Sequence, residues 1–91
     1  MLRKHISLLL VLKAMKKLGE APISTIQKEA GVPNYYTVKQ ILSDLKEIGI
    51  TEERYNSGPP GKFVYGLTEK GKKAADLAEQ LLTLLGEASY T

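Results

Sequence analysis

Tyr35, Tyr36, Lys39, Gln40, Ser43 and Lys46 lie within one short stretch of chain. Placed on a helix, they share the side opposite Val38, Ile41, Leu42, Leu45 and Ile48. They bring hydroxyls, an amide, ammonium groups and flat rings, and no acid. An amide such as that of Gln40 can make paired hydrogen bonds to the edge of adenine. A lysine can donate to the acceptors of guanine, and Tyr or Ser hydroxyls can reach base edges or phosphate. This is the chemistry of nucleic-acid recognition. The N-terminal part of such a helix enters a major groove first. Tyr35, Tyr36, Lys39 and Gln40 are therefore expected base contacts, and Ser43 and Lys46 backbone contacts. Two plainer readings stand beside it: the polar face is simply solvated, or one of the tyrosines covers the edge of the core.

Ser24, Thr25 and Lys28, near the start of a preceding short helix, either meet phosphate or serve as ordinary caps. Arg54 and Lys62 flank Gly58-Pro59-Pro60-Gly61, where they would touch the backbone of a duplex. The uncharged tip itself offers nothing for reading a minor groove. Catalytic chemistry has little to work with. Cysteine is absent and His5 is the sole histidine, so neither a thiolate nucleophile nor a Cys/His metal cluster can be assembled. Glu52 and Glu53 are adjacent on a strand and point to opposite faces, which rules out an acid/base pair. Gly61-Lys62 is followed by Phe63 where a phosphate-binding loop would need Ser or Thr. No cofactor is expected.

The elements that must position these groups follow from periodicity. Ile6, Leu9, Leu10, Leu12, Met15 and Leu18 form a helical stripe and Gly19 a stop, giving helix 1 over about 3–18. Leu8 and Val11 add apolar surface beyond that stripe, which predicts burial on two sides, one of them against a second subunit. Pro22, Ile23, Ile26, Ala30 and Gly31 mark helix 2 over about 22–30. Asn34 caps the recognition helix over about 34–48. The period then changes to that of a hairpin over about 50–67. Thr68 begins a last helix over about 68–85, in which Ala74, Leu77, Leu81 and Leu84, flanked by Ala78, Leu82 and Leu85, exceed what one small core needs. Leu8, Val11, Ala74, Leu77, Ala78, Leu81, Leu84 and Leu85 are accordingly the expected dimer interface, the alternative being that the last helix merely caps its own domain. The residues from Gly86 on read as a frayed tail.

Ninety-one residues, 43% of them hydrophobic, make a single domain over 1–91 with one modest core. The net charge is +3, and its distribution matters more than its size. All thirteen basic residues occur by Lys73 against seven acids, whereas Asp76, Glu79 and Glu87 leave the remainder at −3. The two parts are expected to face different partners. The apolar run Leu8 to Leu12 is far shorter than the roughly 20 residues that span a bilayer, so no membrane partner is expected and the location is cytoplasmic, on the nucleoid.

Three helices with a Gly-containing turn before the third, then a hairpin, follow the element order of a winged helix-turn-helix. The stretch Gly31-Val32-Pro33-Asn34-Tyr35-Tyr36-Thr37-Val38-Lys39-Gln40-Ile41-Leu42-Ser43-Asp44-Leu45-Lys46-Glu47-Ile48-Gly49-Ile50 resembles the turn and recognition helix of small prokaryotic regulators of the MarR and PadR type, archaeal ones included. Leu67-Thr68-Glu69-Lys70-Gly71-Lys72 resembles the boundary those families place between the second wing strand and the last helix. The resemblance implies an α+β, mostly helical fold and a homodimer that reads an inverted repeat of double-stranded DNA as a transcriptional regulator. The alternatives are an architectural or partition protein that coats DNA with little sequence preference, and a winged-helix module that binds protein. An enzyme is more distant. The effector is unknown; if one exists, its pocket is expected between helix 1, helix 4 and the wing.

Overall fold

A computed structural model describes residues 3–56 and 62–86, and of residues 3, 4, 56 and 62 the backbone alone. Helix α1 (Arg3–Leu18) is the centre of the fold. Its Val11, Ala14 and Met15 pack with Ile26 of the second helix and with Val38 and Leu42 of the third. Leu12 packs on its other side with Leu45, Ile50, Ala75 and Ala78. The helix is thus buried on two sides, as its excess of apolar residues predicts, but both sides are covered by its own chain. This corrects the expected interface at two positions. Val11 has no exposed surface and Ala78 only 3%; both belong to the internal core, out of reach of a partner. Leu8 and Ala74 are half-buried against that same core.

Helix α2 (Ile23–Ala30) ends at Gly31, whose φ of 72° lets its N–H return to the carbonyls of Gln27 and Lys28. A side chain would be strained there. Three residues further on, the Asn34 carboxamide accepts the N–H groups of Tyr36 at 2.8 Å and Thr37 at 3.3 Å, two of the four that open helix α3 (Tyr35–Glu47) and lack helical partners. Val38, Leu42 and Leu45 are buried, but Ile48 is 60% exposed. Expected in the core by periodicity, Ile48 instead stands one residue past the helix, where the rotation that would carry it inward has ended. Lys70 Nζ donates to its carbonyl at 3.1 Å.

Strands β1 (Thr51–Asn56) and β2 (Lys62–Leu67) pair antiparallel, with Thr51 opposite Leu67, Glu53 opposite Tyr65 and Tyr55 opposite Phe63. Alternation puts these six side chains on one face of the hairpin, and Glu52, Arg54 and Val64 on the other. The linker between α1 and α2 adds a short third rung: Ala21 and Tyr65 exchange backbone hydrogen bonds of 3.1 and 2.9 Å. The tip, Gly58-Pro59-Pro60-Gly61, lies outside the described residues.

Helix α4 (Glu69–Leu85) is tied to the end of α3 through Thr68. Its hydroxyl accepts the Gly71 N–H at 3.0 Å and lies 2.6 Å from the Gly49 carbonyl oxygen, to which it donates. Gly71 explains the Leu-Thr-Glu-Lys-Gly-Lys boundary physically: a Cβ there would collide with the Ile50 carbonyl oxygen. Ala75 and Ala78 pack inward on Leu12 of α1, and Leu82 is buried one turn further along. Gly86 terminates α4 by capping its last carbonyls, and the rest of the expected tail, residues 87–91, lies outside the described residues. No described helix is long and apolar enough to cross a membrane.

Candidate nucleic-acid interface

The outward side of α3 carries Tyr36, Lys39, Gln40 and Ser43, all exposed. Neither tyrosine is a core residue, for Tyr36 is 75% and Tyr35 is 42% exposed. Their rings meet edge to face at 5.8 Å between centroids and then diverge. Tyr35 turns to a cleft shared with Pro22, Ile23, Ser24, Lys39, Glu53, Phe63 and Tyr65. Tyr36 turns to a second hollow with His5, Leu8, Gln40 and Ile48. Gln40 Nε2 donates to Asp44 at 3.0 Å. That bond holds the amide in one orientation and leaves its carbonyl and second N–H for an incoming base edge. Asp44 and Glu47 are exposed on the same helix, so its outer side is not uniformly basic as the chosen residues suggested.

Lys46, an expected phosphate contact, is already paired: its Nζ lies 2.7 Å from Glu53 Oε1. The Tyr65 hydroxyl donates to the other Glu53 oxygen at 2.8 Å. One carboxylate thereby joins the recognition helix to both wing strands. The Lys46 and then the Tyr65 hydrogen bond hold the Glu53 carboxyl below the usual carboxylate range. Burial, followed by the bond to Glu53, pushes the Tyr65 phenol up to about 12.

Arg54 is placed differently from expectation. It lies on the hairpin face that does not carry Glu53 and Tyr65, and it pairs with Glu20 at 3.0 Å and Glu52 at 2.9 Å. Its charge is thus already paired, on the hairpin face turned away from the cleft that Tyr35 and Lys39 line with Glu53, Phe63 and Tyr65. The side chain of Lys62 lies outside the described residues. Ser24, Thr25 and Lys28 are exposed on α2. Capping is not what Ser24 and Thr25 do, since Pro22 occupies the cap position and no side chain caps this helix.

On the far side of the molecule, α4 presents Leu77, Leu81, Leu84 and Leu85 at 43 to 84% exposure. Its Asp76 and Glu79 both hold Lys16 of α1 at 2.8 Å, and these bonds, the one to Asp76 first, raise the lysine above its ordinary range. The acidic tail is therefore partly neutralised within the chain. A hollow of about 400 Å³ does lie between α1, α4 and β2, lined by Met15, Lys16, Leu67 and Asp76. It is not the only one: the hollow between α1 and α3 beside Tyr36 is larger, about 580 Å³, and more apolar.

What sequence reasoning missed are Glu53, discarded as half of an acid/base pair, the Ala21 rung, and the aromatic pair Tyr55–Phe63. The pair was accessible in principle from strand alternation, once the register of the hairpin is known.

No family model and no curated protein matches the chain in sequence. In fold it is similar to solved bacterial regulators. YodB of Bacillus subtilis, a transcriptional regulator, aligns at a TM-score of 0.67 and 19% identity over 93% of this chain and 89% of that one. Bordetella bronchiseptica BpsR, whose DNA binding is regulated by 6-hydroxynicotinic acid, aligns at 0.76 and 15% identity. NMB1585, a MarR family regulator from Neisseria meningitidis, aligns at 0.65 and 26% identity. The chain spans 63% of the length of BpsR and 61% of that of NMB1585. The fold is the winged helix of MarR-type regulators.

Proposed function

We propose that this chain is a transcriptional regulator that binds double-stranded DNA with sequence preference, with α3 in the major groove and a second copy joined through α4. The observation that carries the reading is the outward side of α3, where Tyr36, Lys39 and Gln40 stand exposed and Asp44 orients the Gln40 amide. Gln40, Lys39 and the tyrosines are the base readers, and Ser43 and Lys46 meet the backbone, with Ser24, Thr25 and Lys28 of α2 on the neighbouring phosphates. Lys46 reaches phosphate by exchanging Glu53 for it.

A protein that coats DNA through charge alone would need free cations along the wing. Of the described cations on the wing and the end of α3, Arg54 and Lys46 are instead paired with carboxylates, and α3 exposes two acids, which favours selective binding. The leucines of α4 supply the apolar surface for a two-fold partner. The paired recognition helices would then read half-sites about one helical turn apart.

Selection of bound fragments from random duplex DNA, followed by titration of the winner at two salt concentrations, tests this. A palindromic motif bound more weakly as salt rises is expected. Recovery of no duplex at low salt, or of duplexes without a common motif, would overturn the sequence-reading role.

A further inference from the structure

We infer that the wing meets DNA through an aromatic pair, Tyr55 and Phe63, in place of the charged side chains a wing of this kind would be expected to use; the inference rests on the DNA-binding reading above. The two residues face each other across the strands, with ring centroids 5.1 Å apart. They lie on the side of the hairpin that carries Thr51, Glu53, Leu67 and Tyr65. At the base of the hairpin this side closes the core, since Thr51 is 2% exposed. Further out it runs beyond the core, so that Tyr55 and Phe63 remain 58% and 53% exposed. Among the described residues the two rings pack edge to face on each other, and each keeps more than half of its surface in water.

Three observations point to nucleic acid as the occupant. Phe63 lines the cleft that also holds Tyr35 and Lys39 of the recognition helix, so the rings continue the surface assigned to base reading. Lys39 makes no ion pair among the described residues, which leaves a cation in that cleft for the duplex. The wing cation whose side chain is described, Arg54, lies on the other face, paired with Glu20 and Glu52. A duplex that enters beside α3 therefore meets rings, which pack on the apolar faces of deoxyribose, while Lys39 reaches the neighbouring base edges. Such a contact releases no counterions. It adds affinity without steepening the salt dependence.

The test compares three variants on one duplex that the wild-type protein binds. Tyr55→Ser combined with Phe63→Ser is expected to weaken binding by about tenfold or more, with the slope of log affinity against log salt unchanged. Arg54→Ala should stay within about twofold of wild type, since its charge is already paired. Phe63→Trp supplies a reporter that does not depend on affinity or on the stability of the double variant: its emission should shift when duplex is added. Wild-type affinity in the serine variant, or an unchanged emission in Phe63→Trp with duplex bound, would overturn the wing contact and leave the DNA-binding reading intact. If the wild-type protein binds no duplex, both fail together.

Discussion

Helix α3 buries Val38, Leu42 and Leu45 and turns Tyr36, Lys39, Gln40 and Ser43 to water. Helix α4 buries Gly71, Ala75, Ala78 and Leu82 and turns Leu77, Leu81, Leu84 and Leu85 to water. Both helices are amphipathic, yet what each leaves exposed differs in kind. Most inner positions of α4 are small, Leu82 excepted, and four of its leucines are left on the outside. The third helix uses its large residues inward, which frees the outward positions for hydrogen-bonding groups. A surface of donors and a surface of leucines on opposite helices suit partners of opposite character: a polyanion on one side, an apolar surface such as a second copy on the other.

Exchanging either surface should break one activity and spare the other. The largest effect is expected from Leu81→Glu with Leu84→Glu. With about 1.5–3 kcal/mol for each leucine side chain withdrawn from water, self-association should weaken by at least about a hundredfold, read by light scattering as a fall to the 10.0 kDa monomer. An unchanged mass would refute the role of α4, and the base preference of the residual binding should not move. Next comes Gly71→Ala, which pushes a methyl against the Ile50 carbonyl oxygen. Overpacking of this kind costs about 1–3 kcal/mol, seen as a thermal midpoint lower by on the order of 10 °C.

On α3 the expectation is reversed. Gln40→Ala should lose about tenfold in discrimination at one base position, with mass and thermal midpoint unchanged; equal loss on every sequence would reassign Gln40 to the backbone. A smaller effect is expected from Glu53→Gln, which removes the carboxylate that Lys46 must leave to reach phosphate and should tighten duplex binding by about a few-fold, with the salt dependence unchanged. Smallest is Tyr65→Phe. The Tyr65 phenol is raised from 10.0 to about 12, so its contribution to stability is complete below the ordinary tyrosine value and declines as pH rises toward the raised one. The stability difference between wild type and Tyr65→Phe, measured in denaturant, should therefore shrink across that window. The Glu53 carboxyl, lowered by Lys46 and Tyr65, behaves oppositely, losing its contribution only as pH falls through its depressed value.

Much of this architecture was legible in one dimension. Asn34 and Thr68 announce helix starts because their side chains satisfy amides that nothing else in the local chain can reach. The spacing of Val38, Leu42 and Leu45 turns α3 inward whatever it packs on. Exposure on α4 was less legible. Ala74, Leu77, Ala78 and Leu81 all read as one apolar band, and local pattern alone could not say that the core takes Ala78 while Leu77 and Leu81 stay outside. Val11 on α1 was misread for the same reason, since the residues covering it, Ile26, Val38 and Leu42, belong to two later helices.

Helix positions, caps, the breaks at Gly31 and Gly49, and the polar face of α3 were determined by the sequence itself, because each depends on interactions within a few residues. The partners of the charges were decided only in three dimensions. Lys46 meets Glu53, Lys16 meets Asp76 and Glu79, and Arg54 meets Glu20, pairs set by the register of the hairpin and the packing of α4 on α1. Coulomb attraction is strong only over a few ångströms. Which cations remain for a polyanion, and which rings the wing turns toward it, therefore follow from the fold and not from the composition.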